Sequence, residues 1–153
     1  MASIVSHNLN YVAQIKRNQK TLFNDISDLI NHEKPLDSFY EIEKDHGRHS
    51  KWYIYVYDAF KGNKTKEWKS LKKYIEVRKF SRNVKTNEVS ESIRYYMTNM
   101  DSNNAEFYHR GIRNHWKIEN SLHWVKDVFH NEEKIELKIG MVPLILLLLA
   151  PLL

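Results

Sequence analysis

The feature that most constrains this chain is a run from about residue 104 to residue 130 that contains no proline and a single glycine. Such a run can continue as one helix for many turns, because proline is the residue that most strongly disrupts a helix interior. At about 100° per residue, its apolar side chains recur on one narrow arc. The predicted buried stripe consists of Phe107, Gly111, Ile118, Leu122, Val125 and Phe129.

Titratable groups lie on the shoulder of this predicted helix. The shoulder is formed by Tyr108, Ile112, His115, Glu119 and Lys126. A carboxylate in this position would be held at the edge of a core beside an imidazole and a cation, which suits metal binding or acid–base chemistry. Such spacing more often belongs to a solvated helix face, so spacing alone does not establish catalysis.

The same helix carries a motif. From His115 to Val128 the sequence reads H-W-x-I-E-N-x-L-H-W-x-x-D-V. It resembles the C-terminal signature of insertion-sequence transposases of the DDE type, in the subgroup that includes the H-repeat-associated proteins. The broader signature is Tyr, two residues, Arg, three residues, Glu, six residues, Lys. Glu119 and Lys126 keep this spacing, whereas Ile112 and His115 replace the Tyr and the Arg.

Two further segments resemble the same subgroup. Residues 16–22 match its K-x-N-Q-x-T-L segment, and residues 43–48 match its E-x-x-H-G-R segment. The resemblance therefore spans residues 11–140. It implies an α/β fold, more closely an α+β fragment: the C-terminal part of an RNase H-like transposase catalytic domain. Residues 50–100 would be a β-rich insertion, and residues 104–130 the helix with the catalytic glutamate.

The resemblance also implies a chemistry. Glu119 would be the third carboxylate of an Asp-Asp-Glu set that holds magnesium for phosphodiester cleavage and strand transfer, with Lys126 and His115 beside it. Both family aspartates precede the strand that begins here at Tyr11, and residues 1–10 contain no Asp or Glu. We therefore expect a truncated remnant that is inactive alone. The alternative is a non-catalytic protein that binds DNA or interacts with a full-length transposase subunit.

Weaker patterns predict the secondary structure of the rest of the chain. Tyr11 to Ile15 predicts a short strand, followed by a helix capped by Asn18 whose Asp25 and Asp28 should point outward. Residues 36–50 look irregular. Alternation then predicts strands at 52–57, 74–80 and 93–97 in a mainly antiparallel unit, with a short helix near 67–73 and a hairpin loop at 83–88.

Charge favours a polyanionic partner, because the net charge is +5. The expected DNA contacts are Lys16, Arg17, Lys20, Lys44 and Arg48. Aromatic residues of the strands interleave with Lys51, Lys79, Arg82, Lys85 and Arg94. Such surfaces can stack bases and hold phosphates, but alternating tyrosines more often cover a half-buried sheet. His46 and His49 have a zinc-compatible spacing without a second ligand pair.

The absence of cysteine fits a reducing, cytoplasmic setting. Residues 141–153 form an apolar tail after the transposase-like residues 1–140. The tail is shorter than the roughly 20 residues of a membrane span, so no membrane partner is expected, and a membrane-associated peptide driven by this tail ranks third among the alternatives. Its composition changes abruptly, which indicates either a coding frameshift or an ordinary core helix.

Overall fold

A computed structural model describes residues 10–62 and 70–129, and the side chains of these residues up to residue 117. Five strands and two α-helices are present in this part of the chain. In chain order they are β1 (Val12–Ile15), α1 (Lys20–His32), β2 (Asp37–Asp45), β3 (Arg48–Asp58), β4 (Lys73–Asn83), β5 (Val89–Thr98) and α2 (Ala105–Phe129), with a 3-10 turn at Ala59–Lys61 after β3. The fold is α+β.

The strands form one antiparallel sheet in the order β1-β5-β4-β3-β2. This arrangement confirms the predicted antiparallel unit and the predicted short first strand. Residues 83–88 connect β4 to β5, as expected for a hairpin loop, and the Asn83 amide donates to the Glu88 carbonyl at 2.9 Å. Because side chains alternate along each strand, the register assigns every strand residue to one of two faces.

Each face of the sheet packs against one helix. On the first face, Trp52, Ile54 and Val77 belong to the core that α2 covers. On the second face, Ala13 and Tyr74 belong to the core that α1 covers. The burial of apolar surface on both sides makes the sheet the central layer of the unit.

The rotation of α2 differs from the predicted one. Its buried residues are Ala105, Tyr108, His109 and Ile112, while Phe107 is 37% exposed. Tyr108 and Ile112 had been predicted on the shoulder, and Phe107 and Gly111 in the buried stripe. The side chains of the stripe residues from Ile118 onward lie outside the described residues. The extent of the helix is confirmed, but up to residue 117, where the side chains are described, its buried face is not the predicted one.

The prediction of irregular structure at residues 36–50 was wrong. These residues form β2, the beginning of β3 and the tight turn between them, where His46 and Gly47 have φ values of +40° and +78°. The error has a physical cause: β2 is an edge strand with mostly exposed side chains, so its sequence lacks apolar alternation. The strands that follow α1 thus begin at Asp37, before residue 50.

Two expectations about α1 were also wrong. The N-cap is Gln19 rather than Asn18, and the Gln19 side chain accepts a bond from the Lys16 amide at 2.9 Å. Asp25 is buried instead of pointing outward, and it accepts a hydrogen bond from the Tyr74 hydroxyl at 3.0 Å. Asp28 is exposed, as expected. A polar partner across the interface makes a buried carboxylate tolerable, which helical periodicity cannot reveal.

Of the predicted short helix at 67–73, residues 67–69 lie outside the described residues, and residues 70–73 are not helical: they form a turn that leads into β4, which begins at Lys73. The tail at 141–153 lies entirely outside them. Within the described helices, none is long and apolar enough to cross a membrane.

Candidate nucleic-acid interface

A row of acidic side chains on β2 positions α2 over the sheet. Every second residue of β2 lies on the face that the helix covers, and three of the four acids among them contact the helix. Asp37 accepts a bond from the Ala105 amide at 2.8 Å. Glu41 lies 2.7 Å from the ring of His109, and Glu43 accepts a bond from Arg113. These contacts follow successive turns of the helix and therefore fix its rotation and its register against the edge strand.

Trp52 is the centre of an aromatic–cation stack under α2. It is 2% exposed, and its ring lies 4.6 Å from both Lys79 Nζ and the Arg113 guanidinium carbon. The ring of Trp116 follows at 6.1 Å, and the guanidinium of Arg94 lies 4.1 Å from the Trp116 ring. Cations favour the faces of indole rings, so the stack brings three positive charges to one side of the sheet.

The charges in this stack perturb one another. Burial lowers the pKa of Lys79, and the nearby guanidinium of Arg113 lowers it further, against the opposing effect of Glu43. The hydrogen bond from Arg113 lowers the pKa of Glu43. Burial and the neighbouring Arg113 thus both disfavour the charged form of Lys79, and perturbed groups of this kind cluster at functional sites.

The Glu43–Arg113 contact predicts an acid-dependent loss of stability. Because the folded-state pKa of Glu43 is lowered, its stabilising contribution is present above the ordinary glutamate pKa, roughly 4.3, and is lost as pH falls through the lowered value. Urea unfolding from pH 7 to pH 3 should therefore show a larger loss for the native chain than for Glu43→Gln. Parallel curves for the two proteins would contradict this coupling.

The predicted catalytic residues lie on α2, but their geometry remains a prediction. His115 is half-buried on this helix, one residue before Trp116. Glu119 and Lys126 belong to the helical backbone, and their side chains lie outside the described residues. Glu119 follows Trp116 by three residues, or about one helical turn. The signature therefore begins beside the cation stack, and Glu119 lies about one turn further along α2.

The predicted DNA contacts fall into separate places. Lys16, Arg17 and Lys20 are exposed together at the turn from β1 into α1. Lys44 and Arg48 lie on opposite strands of the β2–β3 hairpin, and the register places them on opposite faces of the sheet. The structure therefore groups the first three and separates the last two.

The second face of the sheet is covered by α1 only in part. Beyond the helix, apolar side chains are exposed beside basic ones. The exposed apolar residues there are Tyr40, Ile42, Val89 and Ile93. Tyr53 and Phe80 pack edge to face nearby at 5.9 Å. The basic residues that alternate with aromatic ones in the sequence thus lie on two different faces of the sheet. Lys51 and Arg82 lie on the second face, and Lys79 and Arg94 lie on the face under α2.

The zinc-compatible pair, His46 and His49, is not part of a metal site among the described residues. His46 is exposed in the turn and lies 3.0 Å from Asp45, and His49 is exposed on β3. Among the described residues, no group of three or more His, Cys, Asp or Glu side chains could hold a metal ion.

The described part of the chain is therefore an antiparallel α+β unit that presents cations beside a helix with a transposase-like motif. Comparison with known proteins agrees with that class. The chain is 46% identical over 76 residues to Putative transposase YncI of Escherichia coli O157:H7. This match covers 48% of this chain and 19% of the relative. In Escherichia coli K12, it is 36% identical over 108 residues to H repeat-associated putative transposase YhhI and to Putative protein YbfL, each covering 68% of this chain and 28% of the relative.

The chain is thus a relative of the H-repeat-associated transposases, as the residues from His115 to Val128 indicated. The matched segments span 19–28% of the length of these relatives. No family model matches the chain. No solved structure matches it either.

Proposed function

We propose that this chain is part of a DNA transposase that cleaves and joins phosphodiester bonds at the ends of an insertion sequence. In this proposal, residues 11–140 correspond to the C-terminal part of an RNase H-like catalytic domain. Glu119 supplies a carboxylate on α2, with His115 and Lys126 on the same helix. Two relatives named as transposases support the class, and the spacing of Glu119 and Lys126 supports the assignment of roles.

The group expected at Glu119 is magnesium, for which a carboxylate oxygen is a suitable ligand. The described side chains do not complete such a site, because no cluster of three metal-binding groups occurs among them. Two-metal chemistry needs ligands that bridge both ions. We therefore assign Glu119 as one ligand and propose that this 153-residue chain does not by itself perform the reaction.

The observation that carries the proposal is the placement of α2. The acidic row of β2 holds this helix across the sheet, and Trp116 lies directly against Trp52 and Arg94. Four cations thus lie near the face of the sheet that α2 covers, beside the turn of α2 that precedes Glu119. They are Arg48, Lys79, Arg94 and Arg113. DNA phosphates are the polyanion that a transposase must hold next to its catalytic carboxylate.

DNA binding tests this proposal. A fluorescent duplex of arbitrary sequence should bind the 153-residue chain, and its affinity should fall linearly with the logarithm of salt concentration. Lys20→Gln should reduce the slope by about one, the value for one lost phosphate contact. Lys61→Gln is a matched control, because Lys61 is already paired with Glu33 at 2.8 Å. Affinity that does not change with salt would exclude phosphate contacts.

A second candidate is a non-catalytic subunit that interacts with a full-length transposase. It is favoured by the uncovered second face, where Tyr40 is 64% and Val89 is 70% exposed. Exposed apolar patches of this kind often mark protein interfaces. Co-purification with an intact relative, lost on Val89→Asp but not on Val84→Asp in the adjacent turn, would favour this candidate.

A further inference from the structure

A cleft opens on the α2 face of the sheet, between Trp116 and the β4–β5 hairpin. Its volume is about 300 Å³. The lining is polar and basic: it includes Arg48, Lys79, Arg94, Ser81, Ser90 and Ser92. Three neighbouring strands each contribute one of the cations, since Arg48 lies on β3, Lys79 on β4 and Arg94 on β5.

The strand register explains why these side chains meet. Lys79 pairs with Trp52 and Ser92, and Ser81 pairs with Ser50 and Ser90. Partners directly across a sheet point to the same face. The serines therefore form a row of hydroxyls beside the cations, and the Ser50 and Ser81 oxygens lie 2.9 Å apart.

Glu43 lies near enough to Lys79 to raise the pKa of Lys79, but it forms its close ion pair with Arg113. Within the described side chains, no carboxylate lies within ion-pair distance of Arg48, Lys79 or Arg94. Glu88 also lines the cleft, but its carboxylate accepts a bond from the Thr86 hydroxyl at 3.0 Å. The three like charges repel one another although Glu43 and Glu88 lie nearby, and a bound anion would relieve that repulsion.

Arg94 is held in a geometry that suits an oxyanion. Its guanidinium lies 4.1 Å from the Trp116 ring, and it makes no hydrogen bond to a described residue. A guanidinium held against an indole ring can still use its N–H groups as hydrogen-bond donors. A fixed, planar donor fork is the arrangement that recognises phosphate with two hydrogen bonds.

We propose that this cleft binds a backbone phosphate of nucleic acid, with Arg94 and Lys79 as its main ligands, the serine hydroxyls as additional donors and Arg48 at the rim. The inference deepens the proposed function and rests on it. It places a phosphate of the DNA strand on the sheet face next to the turn of α2 that precedes Glu119. The size of the cleft admits a phosphate with its adjoining sugar but not a duplex.

Salt-dependent binding of a fluorescent DNA duplex to the full 153-residue chain tests this site. Lys79→Gln and Arg94→Gln should each reduce the slope of log affinity against log salt by about one, and the double variant by about two. Lys51→Gln is the matched control. Lys51 is the neighbour of Trp52 on β3 but lies on the opposite face, so this variant should keep the native slope. Slopes unchanged by Lys79→Gln and Arg94→Gln, or equally reduced by Lys51→Gln, would overturn the proposal.

A second measurement uses the native protein and does not depend on the folding of variants. The indole N–H resonance of Trp116 should shift when the same DNA is added, and inorganic phosphate at equal ionic strength should cause a much smaller shift. A full shift with inorganic phosphate and none with DNA would assign the cleft to free phosphate and overturn the proposal. Absence of any DNA binding by the native chain would instead contradict the proposed function.

Discussion

Replacing Trp52 by alanine is expected to lower the free energy of unfolding by about 3–5 kcal/mol, the usual cost of removing a large buried aromatic side chain. Trp52 is 2% exposed. It also joins α2 to the sheet, because its ring contacts Trp116 of α2 and Lys79 of β4. A domain of this size has a total stability of about 5–15 kcal/mol, so this one change would remove a large part of it.

Urea denaturation followed by circular dichroism measures this effect. Tyr40→Ala is the control, because it removes an aromatic ring from the adjacent strand at a position that is 64% exposed. It should cost less than about 1 kcal/mol. Equal losses for the two variants would mean that Trp52 is not the centre of the packing between α2 and the sheet.

The second large effect concerns catalysis. The purified 153-residue chain is expected to cleave or join no DNA strands with magnesium or manganese, because one candidate carboxylate, Glu119, cannot hold two ions in the geometry of in-line phosphoryl transfer. Glu119→Gln should therefore change nothing measurable in this chain. In a longer relative with the full set of carboxylates, the corresponding change should abolish strand cleavage.

A supercoiled plasmid gives the readout, since one nick converts it to the relaxed form. The control is Glu106→Gln, a change of the same chemistry at the first turn of α2, where Glu106 pairs with Arg110. Metal-dependent nicking that disappears with Glu119→Gln and persists with Glu106→Gln would show that the chain assembles an active site of its own.

Local sequence patterns predicted the elements whose burial is strongly one-sided. The run at 104–130 appears as α2, Ala105–Phe129, and the alternation at 52–57 lies within β3. Alternation worked for β3 because the period is a property of the local backbone. For α2, the absence of proline predicted the extent of the helix, but the apolar period did not identify its buried face. Alternation failed for β2, whose exposed positions have no apolar pattern to read.

The candidate site was only partly readable from the sequence. Arg48 was predicted as a DNA contact. Lys79 and Arg94 were noted among aromatic residues, but the sequence did not assign them to a face of the sheet. Arg113 gave no signal, because its partners Glu43 and Trp52 lie far away in the sequence. A strand register is needed to sort such residues, since a shift of one position moves every side chain to the other face.

The sequence by itself therefore determined the helices, most of the strands and the relationship to H-repeat-associated transposases through residues 115–128. Only the tertiary structure decided which side of α2 is buried. Asp37 accepts a bond from the Ala105 amide, and Glu41 lies against the ring of His109. Both contacts join residues 68 positions apart, and they orient the helix so that Tyr108 and Ile112 face the sheet. A helix can present several plausible faces, and long-range partners select one of them because they must satisfy both their own hydrogen bonds and the packing of the core.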